Sequence, residues 1–176
     1  NVEDSNQPFR SLWIFSLTGN DLRFHLDHKQ GPLFEFQPVF QKLEPIYGGA
    51  GKLLEIRGGI DPSAIDKFAY MVKTAEKYGI DLIVSLINGW MSGRLYVPQP
   101  FYNRNVLTNP EAIRYQVKFV KTLISAFKHK KGISAWDLGN ECNVMCEVDT
   151  SSRAWLWMNT ISNAIRNSDG SRPVYA

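Results

Sequence analysis

Apolar residues in this chain come in short continuous runs, and between the runs they recur every three or four positions. The two spacings alternate from residue 11 to the end. The run "SLWIFSL" at 11–17, bounded by Gly19 and Asn20, predicts a first buried strand. A long polar and aromatic connection follows. After it, "QPVFQKLEPIYGG" at 37–49 is a short helical candidate stopped by paired glycines, with Pro45 weakening its last turn. "KLLEIRGG" at 52–59 is the second strand. Residues 61–79 predict a helix: Asp61 caps it, Pro62 takes the first helical position, Gly79 stops it, and Ile65, Phe68, Val72 and Ala75 form one stripe. The near-continuous apolar run "IDLIVSLIN" at 80–88 suits a third strand covered on both faces. Asn109 and Pro110 open a further helix with the stripe Ile113, Val117, Val120, Ile124 and Phe127, ending in "KHKKG", whose cations suit a helix carboxyl end. Strand four is 133–139, and residues 151–167 form a helix with Ala154, Trp157, Met158, Ile161 and Ile165 inward. "SRPVYA" then begins strand five.

Strands alternating with crossover helices imply parallel, right-handed βαβ units. Two α/β architectures satisfy that pattern. An open doubly wound sheet would be complete with five strands. A (β/α)8 TIM barrel takes ~250 residues, so residues 1–176 would supply its first four βα units and strand five, as one partial catalytic domain lacking the carboxyl-terminal half. Periodicity alone does not choose between them.

Composition narrows the function classes. A chain of 176 residues with 44% hydrophobic content can bury the core of one globular domain. The net charge of +3 is spread along the sequence, so neither nucleic acid nor an acidic membrane surface is expected as a partner. No apolar stretch reaches membrane-spanning length. Residue 1 is Asn rather than Met, which suggests a processed or trimmed chain and fits a secreted or extracytoplasmic protein. Cys142 and Cys146 are too few for a disulfide framework and are expected as free thiols or one local bridge. His25 and His28 have no third ligand nearby and are expected as surface residues. No metal or other cofactor is implied.

Both architectures bind ligands at the carboxyl ends of their strands, and polar groups collect there. Asn140 and Glu141 end strand four in "AWDLGNECN", Asn88 and Trp90 end strand three, and Arg57 ends strand two. Counting back from Glu141 by twos puts Gly139, Asp137, Ala135 and Ile133 on one strand face, and Trp136 and Leu138 on the face that packs under helices. An inward Arg57 would pair with Asp137 or Glu55, as structural support or as a substrate contact. The loop 88–105 carries Trp90, Tyr96, Phe101 and Tyr102, which suit a sugar-stacking wall or a cover for the barrel rim.

"WDLGNE" in the fourth strand slot resembles the acid/base signature of the retaining (β/α)8 glycoside hydrolases, the clan of cellulases, β-mannanases and β-galactosidases. The resemblance extends loosely over the chain, with Arg57 at strand two and "RPVYA" at strand five. It implies a (β/α)8 barrel acting on β-linked polysaccharide or oligosaccharide, with mannan or glucan favoured. It also implies Glu141 as general acid/base, Asn140 on the sugar 2-hydroxyl, and Arg57, Asn88 and Trp90 as substrate contacts. The clan's nucleophile is a glutamate ending strand seven, so it falls outside these residues. A missing segment or a second polypeptide would complete the barrel. The chemistry agrees with those roles. Retaining cleavage needs two carboxyls ~5 to 5.5 Å apart, one giving a proton to the leaving oxygen and one attacking the sugar.

Two other readings stand beside it. One is a non-catalytic carbohydrate-binding half-barrel. The other is an open sheet binding a phosphate-containing ligand at "RGGIDPS", where two glycines precede a helix amino end but the spacing of the dinucleotide and P-loop motifs is absent.

Overall fold

A computed structural model describes residues 11–14, 22–27, 31–36, 41–49, 53–88, 90–91, 94–95 and 97–176. It gives side-chain surroundings for residues 46–49, 59–88, 97–98 and 100–176. Four strands make one parallel sheet: β1 (Ser11–Ile14), β6 (Asp81–Ser85), β9 (Ile133–Asp137) and β10 (Val174–Tyr175), side by side in that order. Residues 15–17 of the expected first strand, and His28, lie outside the described residues.

Three helices follow the expected strands two, three and four, and each begins where its cap residue dictates. In α1 (Pro62–Tyr78) the Asp61 carboxylate accepts the Ser63 N–H, and Gly79 closes the helix in the left-handed conformation (φ 65°). In α2 (Pro110–Phe127) the Asn109 side chain accepts the Ala112 N–H. In α3 (Ser151–Ser168) Thr150 accepts the Arg153 N–H. Phe68, Val72 and Ala75 of α1 are buried as the stripe required, and so are Val120, Ile124 and Phe127 of α2 and Trp157, Ile161 and Ile165 of α3. Phe68 and Phe127 meet edge to face with centroids 4.7 Å apart, joining α1 to α2. Trp157 donates its indole N–H to Gln116 Oε1 at 2.7 Å, joining α3 to α2.

The first third differs from the pattern's expectation. Residues 41–47, expected as part of a helix, are strand β4 (Gln41–Tyr47), which pairs antiparallel with β5 (Leu53–Ile60). The reason lies in Pro45. Inside a helix it would remove a hydrogen bond and clash with the preceding turn, whereas a short antiparallel pair tolerates it. The connection after β1 contains a second antiparallel pair, β2 (Leu22–Asp27) with β3 (Gly31–Phe36). In a barrel counted in sequence order, strand two would lie between strands one and three. Here β1 pairs directly with β6, and β5, the expected strand two, pairs with β4.

The candidate active site at the carboxyl edge

The neighbouring strands β6 and β9 stay paired past their formal ends, because Leu86 N–H donates to the Asp137 carbonyl (3.0 Å) and Ile87 N–H to the Leu138 carbonyl (2.9 Å). Gly139 makes this approach possible. A Cβ there would sit 2.0 Å from the Ile87 carbonyl oxygen and 2.7 Å from Cys142 Sγ, which no side chain could relieve.

Beyond Gly139 the chain turns sharply. Glu141 has φ 47° and ψ 40°, and outside glycine it is the one described residue with positive φ. For a residue with a Cβ that conformation costs about 1 to 2 kcal/mol, and such strain collects at functional sites. A short 3₁₀ turn, Cys142–Val144, begins directly after it, yet the Glu141 side chain makes no capping hydrogen bond to that turn. The side chain is exposed. Glu141 thus lies at the sheet's carboxyl edge with its carboxyl group not used to cap the turn.

Under this turn sits a buried polar group. Ser85 and Asp137 are register neighbours on β6 and β9, with Ser85 Oγ 2.5 Å from Asp137 Oδ2. Ser85 Oγ also lies 2.8 Å from Asn88 Oδ1, Asn88 Nδ2 donates to the Ser85 carbonyl at 3.2 Å, and the Asn140 N–H donates to Asn88 Oδ1 at 2.6 Å. Burial pushes the Asp137 carboxyl above the usual carboxylate range, and the hydrogen bonds from Ser85 and the backbone N–H groups of Gly139 and Leu138 oppose that shift.

Asn105 ties the loop before α2 to the loop after β9. It accepts the Leu107 and Thr108 N–H groups, donates to the Glu147 carbonyl, and lies 3.1 Å from Cys146 Sγ. Both cysteines are free thiols. Burial, aided by the Asp137 charge, pushes the Cys142 thiol up to about 12. It stays protonated and donates to the Ile87 carbonyl at 3.5 Å.

Of the residues expected at this edge, the structure brings Asn88, Asn140 and Glu141 together. Asn88 is only 6% exposed, and both ends of its amide meet protein. Trp90 lies two residues beyond Asn88 in β7 (Trp90–Met91), which pairs antiparallel with β8 (Arg94–Leu95). Arg57 lies in β5 opposite Glu44. The surroundings of the Trp90 and Arg57 side chains are outside the described residues. Phe101 is buried and contributes to the core, while Tyr102 is exposed. Sequence reasoning gives Ser85 no role, although it is the one hydroxyl in the run "IDLIVSLIN", and gives Cys142 only a place as a free or locally bridged thiol.

Comparison with known proteins supplies the context. No family model matches the chain. It is 28% identical over 112 residues to mannan endo-1,4-beta-mannosidase A of Podospora anserina, which spans 61% of this chain and 30% of that protein. It is 26% identical over 180 residues to a probable mannan endo-1,4-beta-mannosidase A-2 of Aspergillus terreus, spanning 90% of this chain and 43% of that one. Among solved structures, the exo-beta-1,4-mannosidase of Opitutaceae bacterium strain TAV5 superposes with a TM-score of 0.62 at 22% identity, over 65% of this chain and 21% of that one. The beta-mannanase of the blue mussel Mytilus edulis superposes with a TM-score of 0.54 at 17% identity, over 74% and 42%. The relatives are β-mannoside-cleaving glycoside hydrolases. The fold is part of their (β/α)8 barrel, so the parallel sheet is a barrel portion rather than a complete open sheet. The chain spans less than half the length of each of these relatives.

Proposed function

We propose that residues 1–176 are part of the catalytic barrel of a retaining glycoside hydrolase that cleaves β-linked polysaccharide or oligosaccharide, with mannan favoured over glucan. The observation that carries the reading is Glu141 itself: an exposed carboxyl in a strained left-handed turn at the carboxyl edge of a parallel sheet, directly after the pinned Asn140. In that place Glu141 delivers a proton to the glycosidic oxygen and later withdraws one from the attacking water. Asn140 offers an uncharged partner to the sugar 2-hydroxyl. Trp90 would stack on a sugar face and Arg57 would bind substrate or brace the acid. The nucleophile lies outside these residues, on a missing segment or a second polypeptide that completes the barrel. The preference for mannan rests on the names of the relatives. Secretion accords with a polymeric substrate, and no described helix is long and apolar enough to cross a membrane.

The test is a screen of the full-length polypeptide on mannan, cellulose, xylan and galactosides, with Glu141→Gln beside the wild type. Hydrolysis of mannan is expected. Glu141→Gln should lose most activity on substrates with poor leaving groups while sparing the glycosylation step on activated ones, because an activated group departs without a proton. Activity confined to α-linked substrates, or unaffected by Glu141→Gln, would refute the reading.

A further inference from the structure

The turn that carries Glu141 is gripped from one strand end at two points. On the near side, Asn88 Oδ1 accepts the Asn140 N–H at 2.6 Å. On the far side, the Cys142 thiol donates to the Ile87 carbonyl at 3.5 Å. Residues 87 and 88 are adjacent, so consecutive residues of β6's extension hold the two neighbours of Glu141. Gly139, required where the strands approach, directly precedes this gripped turn.

Asn88 is itself held in place. It is 6% exposed, its Nδ2 donates to the Ser85 carbonyl at 3.2 Å, and its Oδ1 also lies 2.8 Å from the Ser85 hydroxyl. The amide orientation is unambiguous. Turned over, it would set its NH₂ against the Asn140 N–H and its oxygen against the Ser85 carbonyl. Ser85 has one hydroxyl hydrogen and two acceptors within reach, Asn88 Oδ1 and Asp137 Oδ2.

We propose that Asn88 and Cys142 are positioning residues that clamp the backbone on either side of Glu141 and hold its carboxyl in the geometry of proton delivery. This deepens the hydrolase reading above and rests on it. Asn88, with its amide bonded to Ser85 and Asn140, then serves the turn in place of the sugar contact that the resemblance implies. Each of the two residues acts through the turn, where a displacement of about 1 Å is enough to cost about a hundredfold in rate.

The experiment uses the full-length polypeptide and aryl β-mannosides of graded leaving-group ability, with hydrogen exchange at the Asn140 amide followed in parallel. Asn88→Ala should lower kcat about ten- to a hundredfold on poor leaving groups, less on activated ones, and change KM little. Cys142→Ala should do the same more weakly. Cys142→Ser, which keeps a donor, should recover most of the rate lost in Cys142→Ala. The Asn140 amide should be protected in the wild type and exposed to exchange in Asn88→Ala. Cys142→Ala is a small change at a partly buried site and decides the matter if Asn88→Ala does not fold. A loss that is equal for all leaving groups, or an Asn140 amide unprotected in the wild type, overturns the clamp. A protected amide in a polypeptide that cleaves no β-glycoside upholds the clamp geometry and removes the hydrolase reading instead.

Discussion

Two aspartates of this protein are almost equally buried, Asp137 at 6% and Asp169 at 5% exposure, and their carboxyl groups are driven in opposite directions. Burial pushes both up. At Asp169 the donors outweigh it: the Ser171 hydroxyl and N–H (2.6 and 3.0 Å), the Trp136 indole (2.9 Å) and the Arg172 guanidinium (2.6 Å) hold the carboxyl well below the usual range. Asp137 has the Ser85 hydroxyl and two backbone N–H groups, and these leave it raised. The difference lies in the side-chain donors, the Ser171 hydroxyl first and then the Trp136 indole and Arg172, against the single Ser85 hydroxyl at Asp137. Arg172 also donates to the carbonyls of Lys128, Lys130 and Ile133, so the Asp169 cluster stitches the end of α2, the start of β9 and the segment leading to β10. Asp137 ends β9, whereas Arg172 of the Asp169 cluster holds the Ile133 carbonyl at its start. The amino-terminal end is built for stability, and the carboxyl-terminal end tolerates a raised carboxyl, a strained residue and a required glycine, the division of labour expected of barrel strands.

Removing the cation's partner should give the largest effect. Asp169→Ala leaves Arg172 and the Trp136 indole without their acceptor and should cost about 3 to 5 kcal/mol, read from urea unfolding at pH 7. At the other end, Gly139→Ala forces a Cβ against the Ile87 carbonyl and should cost about 2 to 4 kcal/mol. Because it spreads β6 from β9, it should also abolish protection of the Asn140 amide while leaving the Arg172 cluster intact.

The pH dependences should diverge as well. Asp169, with a lowered folded pKa, contributes stability that is complete above the ordinary value of ~3.9 and is lost as pH falls through the folded one. The stability gap between wild type and Asp169→Asn should therefore hold between about pH 7 and 5 and shrink below about pH 4. Asp137, with a raised folded pKa, behaves in reverse. Its contribution is complete below ~3.9 and is lost as pH rises through the folded value. Wild type should thus lose ground to Asp137→Asn as the pH is raised above about 4, with the smallest change of the set. A parallel pH dependence for both pairs would show that the two aspartates are not distinct in kind.

Much of this division was legible in the chain. Period-two counting from Glu141 set Asp137 and Trp136 on opposite faces, and they bond Ser85 and Asp169 respectively. The "WDLGNE" motif in the fourth strand slot pointed to the edge where Glu141 is found. The role of Asn88 was not legible, because an asparagine at a strand end reads equally as a ligand-binding or a buried amide. Its bond to Ser85 is local, but its partner Asn140 is brought to it by the pairing of two strands more than fifty residues apart in sequence.

The sequence by itself determined the elements whose signals are local. Asp61, Asn109 and Thr150 satisfy free amide groups at helix starts, Gly79 supplies a left-handed stop, and stripes of apolar side chains choose the buried face of each helix. Only tertiary structure decided what depends on a distant partner. Residues 41–47 became a strand because an antiparallel neighbour was present to satisfy their backbone groups. Gly139 is indispensable because the Ile87 carbonyl lies where a Cβ would go. Glu141 adopts a conformation its own residue type disfavours because the strand beside it grips the chain on both sides.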